Sequence, residues 1–149
     1  MKILLDTNVV LDVLLDRAPF AHHASRLLSQ CEMRDVTGCL CATTVTTIHY
    51  LVAKAAGEQA ARRHLKRLLS ILDIAPVTRA VLDAAINSPF DDFEDAVVHE
   101  AARLAGAQSI VTRDGKGYTQ SVLPVYAPQD CLGMLAGIKR TKPCSTPDN

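Results

Sequence analysis

Four aspartates of this chain stand where side chains could do chemistry: Asp6, Asp92, Asp95 and Asp114. Asp6 ends the apolar run Ile3-Leu4-Leu5 and is followed by Thr7-Asn8; Asp114 closes a similar run, Ile110-Val111-Thr112-Arg113-Asp114. Between them, Asp91-Asp92-Phe93-Glu94-Asp95 precedes the helical pattern Ala96 to Ala102. Asp92 and Asp95, three apart, fall on one face of a helical turn. A single aspartate at a helix start is explained by capping and by the helix dipole. Four acids crowded into five residues exceed that need, and two strand-like runs ending in the same way add to the excess. Two carboxylates about 4 Å apart repel by about 4 kcal/mol at an effective dielectric of about 20. A cluster of them protonates or spreads apart unless a divalent cation neutralises it. Oxygen-only ligands select Mg²⁺ or Mn²⁺, ions that activate water and stabilise charge on a phosphoryl oxygen. The chemistry implied is metal-dependent phosphodiester hydrolysis.

Such a cluster needs a scaffold whose strand ends converge. Short apolar runs read as strands at Ile3–Leu5, Val36–Cys41, Asp73–Pro76, Ser109–Val111 and Val122–Tyr126. They are continuously apolar rather than alternating, the pattern of strands covered on both faces. Helical periodicity fills the gaps at Val9–Leu15, Ala21–Cys31, Thr44–Ala56, Ala60–Leu72, Val81–Ile86, Asp92–Leu104 and Gln129–Leu135. Gly57 sits where a left-handed helix cap is wanted. The alternation predicts an α/β fold with a central, mostly parallel sheet of about five strands and helices on both faces. Open sheets of this kind build ligand sites along the carboxyl edge of their strands, where Asp6 and Asp114 fall.

The chain has 149 residues, enough for one domain that buries roughly 70% of its unfolded surface. The domain is expected over 1–136, and the polar, Pro-containing stretch 137–149 reads as a disordered tail. Lys plus Arg balances Asp plus Glu at 16 each, so no global field attracts an anionic polymer. Five cysteines (Cys31, Cys39, Cys41, Cys131, Cys144) follow no metal-binding spacing and read as free thiols in a reducing compartment. No run approaches the roughly 20 apolar residues of a membrane span, and no signal sequence precedes Asp6. A soluble cytoplasmic protein is expected.

With these residues assembled, the chain resembles the PIN-domain family, in particular the VapC-type toxin ribonucleases of prokaryotic toxin–antitoxin pairs. The likeness rests on Leu4-Leu5-Asp6-Thr7-Asn8-Val9-Val10-Leu11-Asp12, on Asp92-Phe93-Glu94-Asp95-Ala96 with Ala101-Ala102, and on Gly106 through Asp114. It implies a PIN-type fold and Mg²⁺- or Mn²⁺-dependent cleavage of RNA, with a small antitoxin as partner and a homodimer as assembly. By position, Asp6, Asp95 and Asp114 would hold the metal, Asp92 would assist, and Asn8 and Thr112 would orient the carboxylates by hydrogen bonding. Two departures from the family pattern lower the negative charge. The usual glutamate on the helix after the second strand is missing from Thr43-Thr44-Val45-Thr46-Thr47-Ile48-His49-Tyr50, where Thr47 or His49 takes its neighbourhood. After Asp114, Gly117 rather than an acid precedes Tyr118.

Other residues admit two readings each. His99, four after Asp95, is either a general base or a helix histidine with a structural hydrogen bond. Arg113 is a phosphate contact or an exposed cation. The Arg62, Arg63, Lys66, Arg67 stripe is a solvated helix face or an RNA track. Val9, Val10, Val13, Leu14, Leu27 and Leu28 form core or a groove for the antitoxin or a second copy. For the whole chain, the alternatives to a ribonuclease are a PIN-like module that binds RNA or protein without cutting, and a phosphoacceptor domain. The latter lacks the lysine expected at the end of a later strand.

Overall fold

A computed structural model of the chain describes residues 1–141. Five strands form one sheet in the order β3-β2-β1-β4-β5, with every pairing parallel. They are β1 (Lys2–Leu5), β2 (Thr37–Cys41), β3 (Asp73–Ala75), β4 (Ser109–Val111) and β5 (Val125–Tyr126). The helices are α1 (Thr7–Leu14), α2 (Ala21–Glu32), α3 (Ala42–Ala56), α4 (Glu58–Ile71), α5 (Arg79–Ile86), α6 (Phe93–Leu104) and α7 (Pro128–Thr141).

β1 shows why the runs read as continuous. Ile3 and Leu5 point into one core with Val9, Val10, Leu27, Ile48, Leu68 and Leu135, supplied by α1 to α4 and α7. Leu4 points the other way, into a core with Val81, Ala85, Ala96, Val97 and Ala101 from α5 and α6. Both sheet faces are dry, so every β1 position after Lys2 must be apolar. The small alanines of α6 let that helix lie close on its side of the sheet.

The chain leaves β1 for β2 and β3 on one side, then crosses back to place β4 on the other, so strand order reverses between β1 and β4. That switch opens a crevice at the carboxyl ends of the two strands. Leu5 is paired with Val111 there, and the Asp6 amide donates to the Val111 carbonyl at 2.9 Å.

The elements differ from expectation at their ends. β5 shortens to two residues because Pro124 has no N–H to give; its carbonyl still accepts from Ile110 at 3.0 Å. α7 continues through Thr141, so residues 137–141, expected in the tail, are helical; the rest of that tail lies outside the described residues. Gly57 has φ 93° and ψ 164°, a positive φ in a different region from the left-handed cap, and joins α3 directly to α4. Val9, Val10 and Leu27 are core rather than groove, whereas Val13, Leu14 and Leu28 are only partly buried. Among the described residues the four cysteines are free and buried, and burial pushes the Cys31 thiol up to about 12. No helix among them is long and apolar enough to cross a membrane.

Gly38 marks the tightest point of the first core. A Cβ there would stand 2.6 Å from both Cys31 Sγ and Leu72 Cδ2, inside van der Waals contact. Gly38→Ala is therefore expected to overpack the interface of α2 with β2 and to cost about 1–3 kcal/mol. Urea unfolding should show a lower midpoint at unchanged slope; a midpoint equal to the parent's would show that the neighbours yield freely.

Candidate active site

The turn from β1 into α1 gives Asp6 its place. It caps α1, one carboxylate oxygen accepting from the Thr7 amide at 2.8 Å and the other from the Thr112 hydroxyl at 2.9 Å. The same Thr112 oxygen accepts from the Asn8 side-chain amide at 3.0 Å and from the Asp114 amide at 3.1 Å. Asn8 returns its own carbonyl oxygen to the Arg113 amide at 3.1 Å. Asn8 thus makes no hydrogen bond to a carboxylate among the described residues; it splints α1 to the segment after β4, and Thr112 does the orienting. Burial raises the Asp6 pKa above its usual value. The hydrogen bonds from Thr7 and Thr112 pull it back, and the Asp114 charge adds to the rise.

Facing Asp6 across a cavity of about 360 Å³ are Asp95 on α6, Asp92 and Glu94 beside it, and Asp114 at the start of a 3-10 turn, Gly115–Tyr118. Asp92 caps α6, accepting from the Asp95 amide at 3.0 Å, so one of its oxygens is engaged. Asp114 accepts from the Lys116 amide at 3.3 Å. Asp95 differs: its carboxylate takes part in no hydrogen bond or ion pair among the described residues. Desolvation first, then the charges of Asp6, Asp92, Glu94 and Asp114, push its pKa up to about 6. Gly117 makes room for it, since a Cβ at 117 would collide with the Asp95 carboxylate. The departure from the family pattern at this position thus leaves the Asp95 carboxylate free of a neighbouring side chain on that side. Tyr118 is buried behind it; burial first, then the charges of Asp6 and Asp95, raise its pKa, and its hydroxyl has no partner at hydrogen-bond geometry among the described residues.

Not every expected residue arrives. Thr47 and His49 lie outside the cavity lining. His49 turns instead to Glu58 at the start of α4, 3.0 Å from its carboxylate, because α3 carries it past the sheet edge toward the α3–α4 junction. His99 is buried on α6, accepting from the Val122 amide at 3.2 Å while its Nδ1 meets Glu100 at 3.2 Å and its ring packs on Phe90. Both nitrogens are committed, and burial lowers its pKa; it anchors the Ser121–Leu123 turn and takes no part in the cavity.

Arg113 lines the cavity, but its guanidinium is held from below. Nε and Nη2 bind the two oxygens of Asp12 at 2.6 and 3.1 Å. Asp12 is fully buried on α1 and also lies 2.9 Å from Arg17 Nε, an ion pair without the alignment of a hydrogen bond. Asp12, Glu94 and Tyr118 lie within or beside the motifs read from the sequence but, like Arg17, received no role in the site there. Asp12 had a signal: it is a charge on the core side of an otherwise apolar helix, which obliges a buried partner.

The donor set fits a hard divalent cation. Asp6 and Asp95 offer oxygen ligands, and the unbonded Asp95 carboxylate beside four other acids is a charge in need of neutralising. Among the described residues no three acid, histidine or cysteine side chains already stand together at ligand distance. Two protein carboxylates completed by water and substrate phosphate are the habit of Mg²⁺ rather than of a closed structural site.

Crowding has a thermodynamic consequence in the metal-free protein. The Asp95 pKa is about 6 in the fold against its ordinary 3.8, so the folded state binds the proton more tightly. The contribution to stability is full below pH ~4 and is lost as pH rises through about 6. Asp95→Asn should match the parent near pH 4 in chelator. It should then melt progressively higher through pH 6, gaining a few degrees above pH 7, where ~1 kcal/mol is worth about 2–4 °C at this size. A melting difference that is flat with pH would refute the crowding.

A model of the PIN domain family matches residues 2–116. Ribonuclease VapC1 of Aquifex aeolicus is 24% identical over 138 residues, covering 87% of this chain and 93% of that protein. Among solved structures, VapBC2 from Rickettsia felis, bound to a promoter DNA fragment, aligns with TM-score 0.63 at 16% identity, over 84% of this chain and 97% of its own. VapC20 of Mycobacterium tuberculosis, described as a Sarcin-Ricin loop cleaving toxin, aligns with TM-score 0.63 at 17% identity, over 78% and 92%. At such identities the structures speak for the fold, and the family model, matching from β1 through the Asp114 turn, speaks for descent: the chain belongs to the PIN domain family.

Proposed function

We propose that the chain is an endoribonuclease that hydrolyses RNA phosphodiester bonds with Mg²⁺ or Mn²⁺, as the toxin-like member of a toxin–antitoxin pair in the cytoplasm. The observation that carries this reading is Asp95, an unbonded carboxylate raised to about 6 and set across a crevice from Asp6 at the β1–β4 switch. Asp6 and Asp95 would hold the ion, with Asp114 and Asp92 acting on it directly or through water. When bound, the ion supplies a water made acidic enough to attack and a charge for the developing phosphoryl oxyanion. The protein's own part is positional. Thr112 fixes the rotamer of Asp6, Asp92 fixes the first turn of α6 and hence Asp95, and Gly117 keeps the approach to Asp95 open. Arg17 and Arg113 supply positive charge at the rim where an RNA phosphate must pass five acids.

The relatives named as a ribonuclease and as toxin–antitoxin assemblies support the biological half of the reading. So does a surface cleft of about 300 Å³, walled by Val13, Leu14, Leu28, Leu68 and Ile71 with Glu32, His64 and Arg67 at its rim. An amphipathic helix of a small antitoxin would suit it. A second copy of this chain would find Leu82, Ile86 and Phe93 exposed on α5 and at the start of α6.

One observation favours the second reading, a PIN module that binds RNA without cutting it: no side chain of α3 reaches the cavity, so nothing on that helix stands in for the usual glutamate. Cleavage assays on single-stranded RNA separate the two. The parent should cut in Mn²⁺ and not in chelator, and Asp6→Asn and Asp95→Asn should each lose at least about 100-fold, as removal of one group that stabilises transition-state charge does. Manganese-dependent cutting that survives both substitutions, or no cutting by the parent, would overturn the enzyme.

A further inference from the structure

Beside the acidic cavity lies a second one, of about 510 Å³, whose walls include Phe20, His23, Arg113, Pro128 and Gln129. Arg113 belongs to both. Its guanidinium is gripped along one edge by the buried Asp12 and lies over the Phe20 ring, with Cζ 4.0 Å from the ring centroid. Phe20 stands at the start of α2, 42% exposed, and is no part of either core. The ring is held on a rigid arginine beside the acidic cavity, rather than by either core, and keeps its other side open to water. His23 also lines this cavity, and behind its exposed edge the ring's Nδ1 is shut off from solvent with no hydrogen-bond partner among the described residues. Buried polar atoms of folded proteins are nearly always paired.

We infer that this second cavity is a nucleobase subsite, in which an unpaired RNA base adjoining the phosphate in the acidic cavity stacks against Phe20 and meets His23 with its polar edge. The inference rests on the proposed action on RNA. Unstacked bases are the part of RNA that proteins read, and aromatic rings and arginine planes are what they stack on. Arg113 lines both cavities, so adjoining parts of one RNA strand would meet the acids on one side and the aromatic wall on the other. Asp12 gives Arg113 its rigidity: with both carboxylate oxygens bound, the guanidinium plane cannot turn away from Phe20. The Gln129 amide and the His23 ring give the cavity polar groups that distinguish one base edge from another, which makes it a source of sequence preference.

The test uses the full chain carrying Asp95→Asn, so that bound RNA stays intact, with a labelled single-stranded RNA of mixed sequence and Mn²⁺, read by fluorescence anisotropy. Phe20→Ala and Phe20→Leu should each weaken binding by between about 5- and 150-fold, the range for losing one stacked base, and Phe20→Tyr should restore it. The slope of affinity against salt should stay constant through the series, because no phosphate contact is removed; losing one would flatten it by about 0.7. His23→Gln should change the preference among homopolymer RNAs without changing that slope. Leucine binding as well as phenylalanine, an unchanged affinity for the alanine variant, or a flattened slope would each overturn the subsite. Hydrolysis by the chain with Asp95 intact is scored separately. A Phe20 series that behaves as expected on a chain that cuts nothing leaves the subsite standing and removes the hydrolase, and the converse removes only the subsite.

Discussion

The Thr112 hydroxyl donates to Asp6 and accepts from Asn8 and Asp114, and these three bonds hold the two halves of the crevice in register. Asp6 belongs to the strand that opens the chain; Thr112 follows a strand more than a hundred residues later. Nothing local in either segment orders the pair. The sheet does so, by placing β1 and β4 side by side with Leu5 against Val111, so that the residues just past each strand end must meet. A hydroxyl suits the meeting point because it donates once and accepts twice. It gives its proton to the ionised carboxylate and leaves its lone pairs to two amide donors. A valine of the same shape would leave all three partners without it, inside a partly buried edge where unpaired polar groups are costly.

Around that knot the protein keeps like charges close and opposite charges apart from them. Asp12, buried beneath the cavity, grips both Arg113 and Arg17 at its wall, while Asp95 has no counter-ion among the described residues. If either arginine turned into the cavity it would quench the acids and relieve Asp95. The buried Asp12 opposes this, since losing the bidentate Arg113 pair would leave a buried carboxylate with only the misaligned Arg17 contact. The fold therefore maintains a local electrostatic frustration at the site by means of a well-satisfied ion pair one layer below it.

How much of this was legible follows from range. The apolar runs and the helical periods are short-range signals, and they located the strands, the helices and the parallel sheet. Asp6, Asp95 and Asp114 were legible because each ends or opens such an element. Arg113 was placed as a possible phosphate contact, but its partner was not, because Asp12 meets it only after α1 and the end of β4 have packed. His49 misled for the complementary reason. Its position in the sequence fits the neighbourhood of the missing glutamate, yet the direction of α3 and the charge of Glu58 decide where its ring goes. Gly117 stands where the family pattern has an acid, and what the sequence did not tell is that a Cβ there would meet the end of the Asp95 side chain.

The missing glutamate then takes a different meaning. A cavity that already sets Asp92, Glu94, Asp95 and Asp114 opposite Asp6 is not poor in charge; it is poor in charge from α3. A further carboxylate there would add repulsion to a group whose pKa is already displaced to about 6, and would compete for the proton that Asp95 is reluctant to lose. Glu94, rotated off the Asp92–Asp95 face yet still lining the cavity, supplies an acid from α6 instead. Negative charge in this site has thus been gathered onto α6 and the turn after β4, the two segments that Asp92 and Thr112 hold most firmly. What α3 does not contribute in ligands it also does not contribute in repulsion.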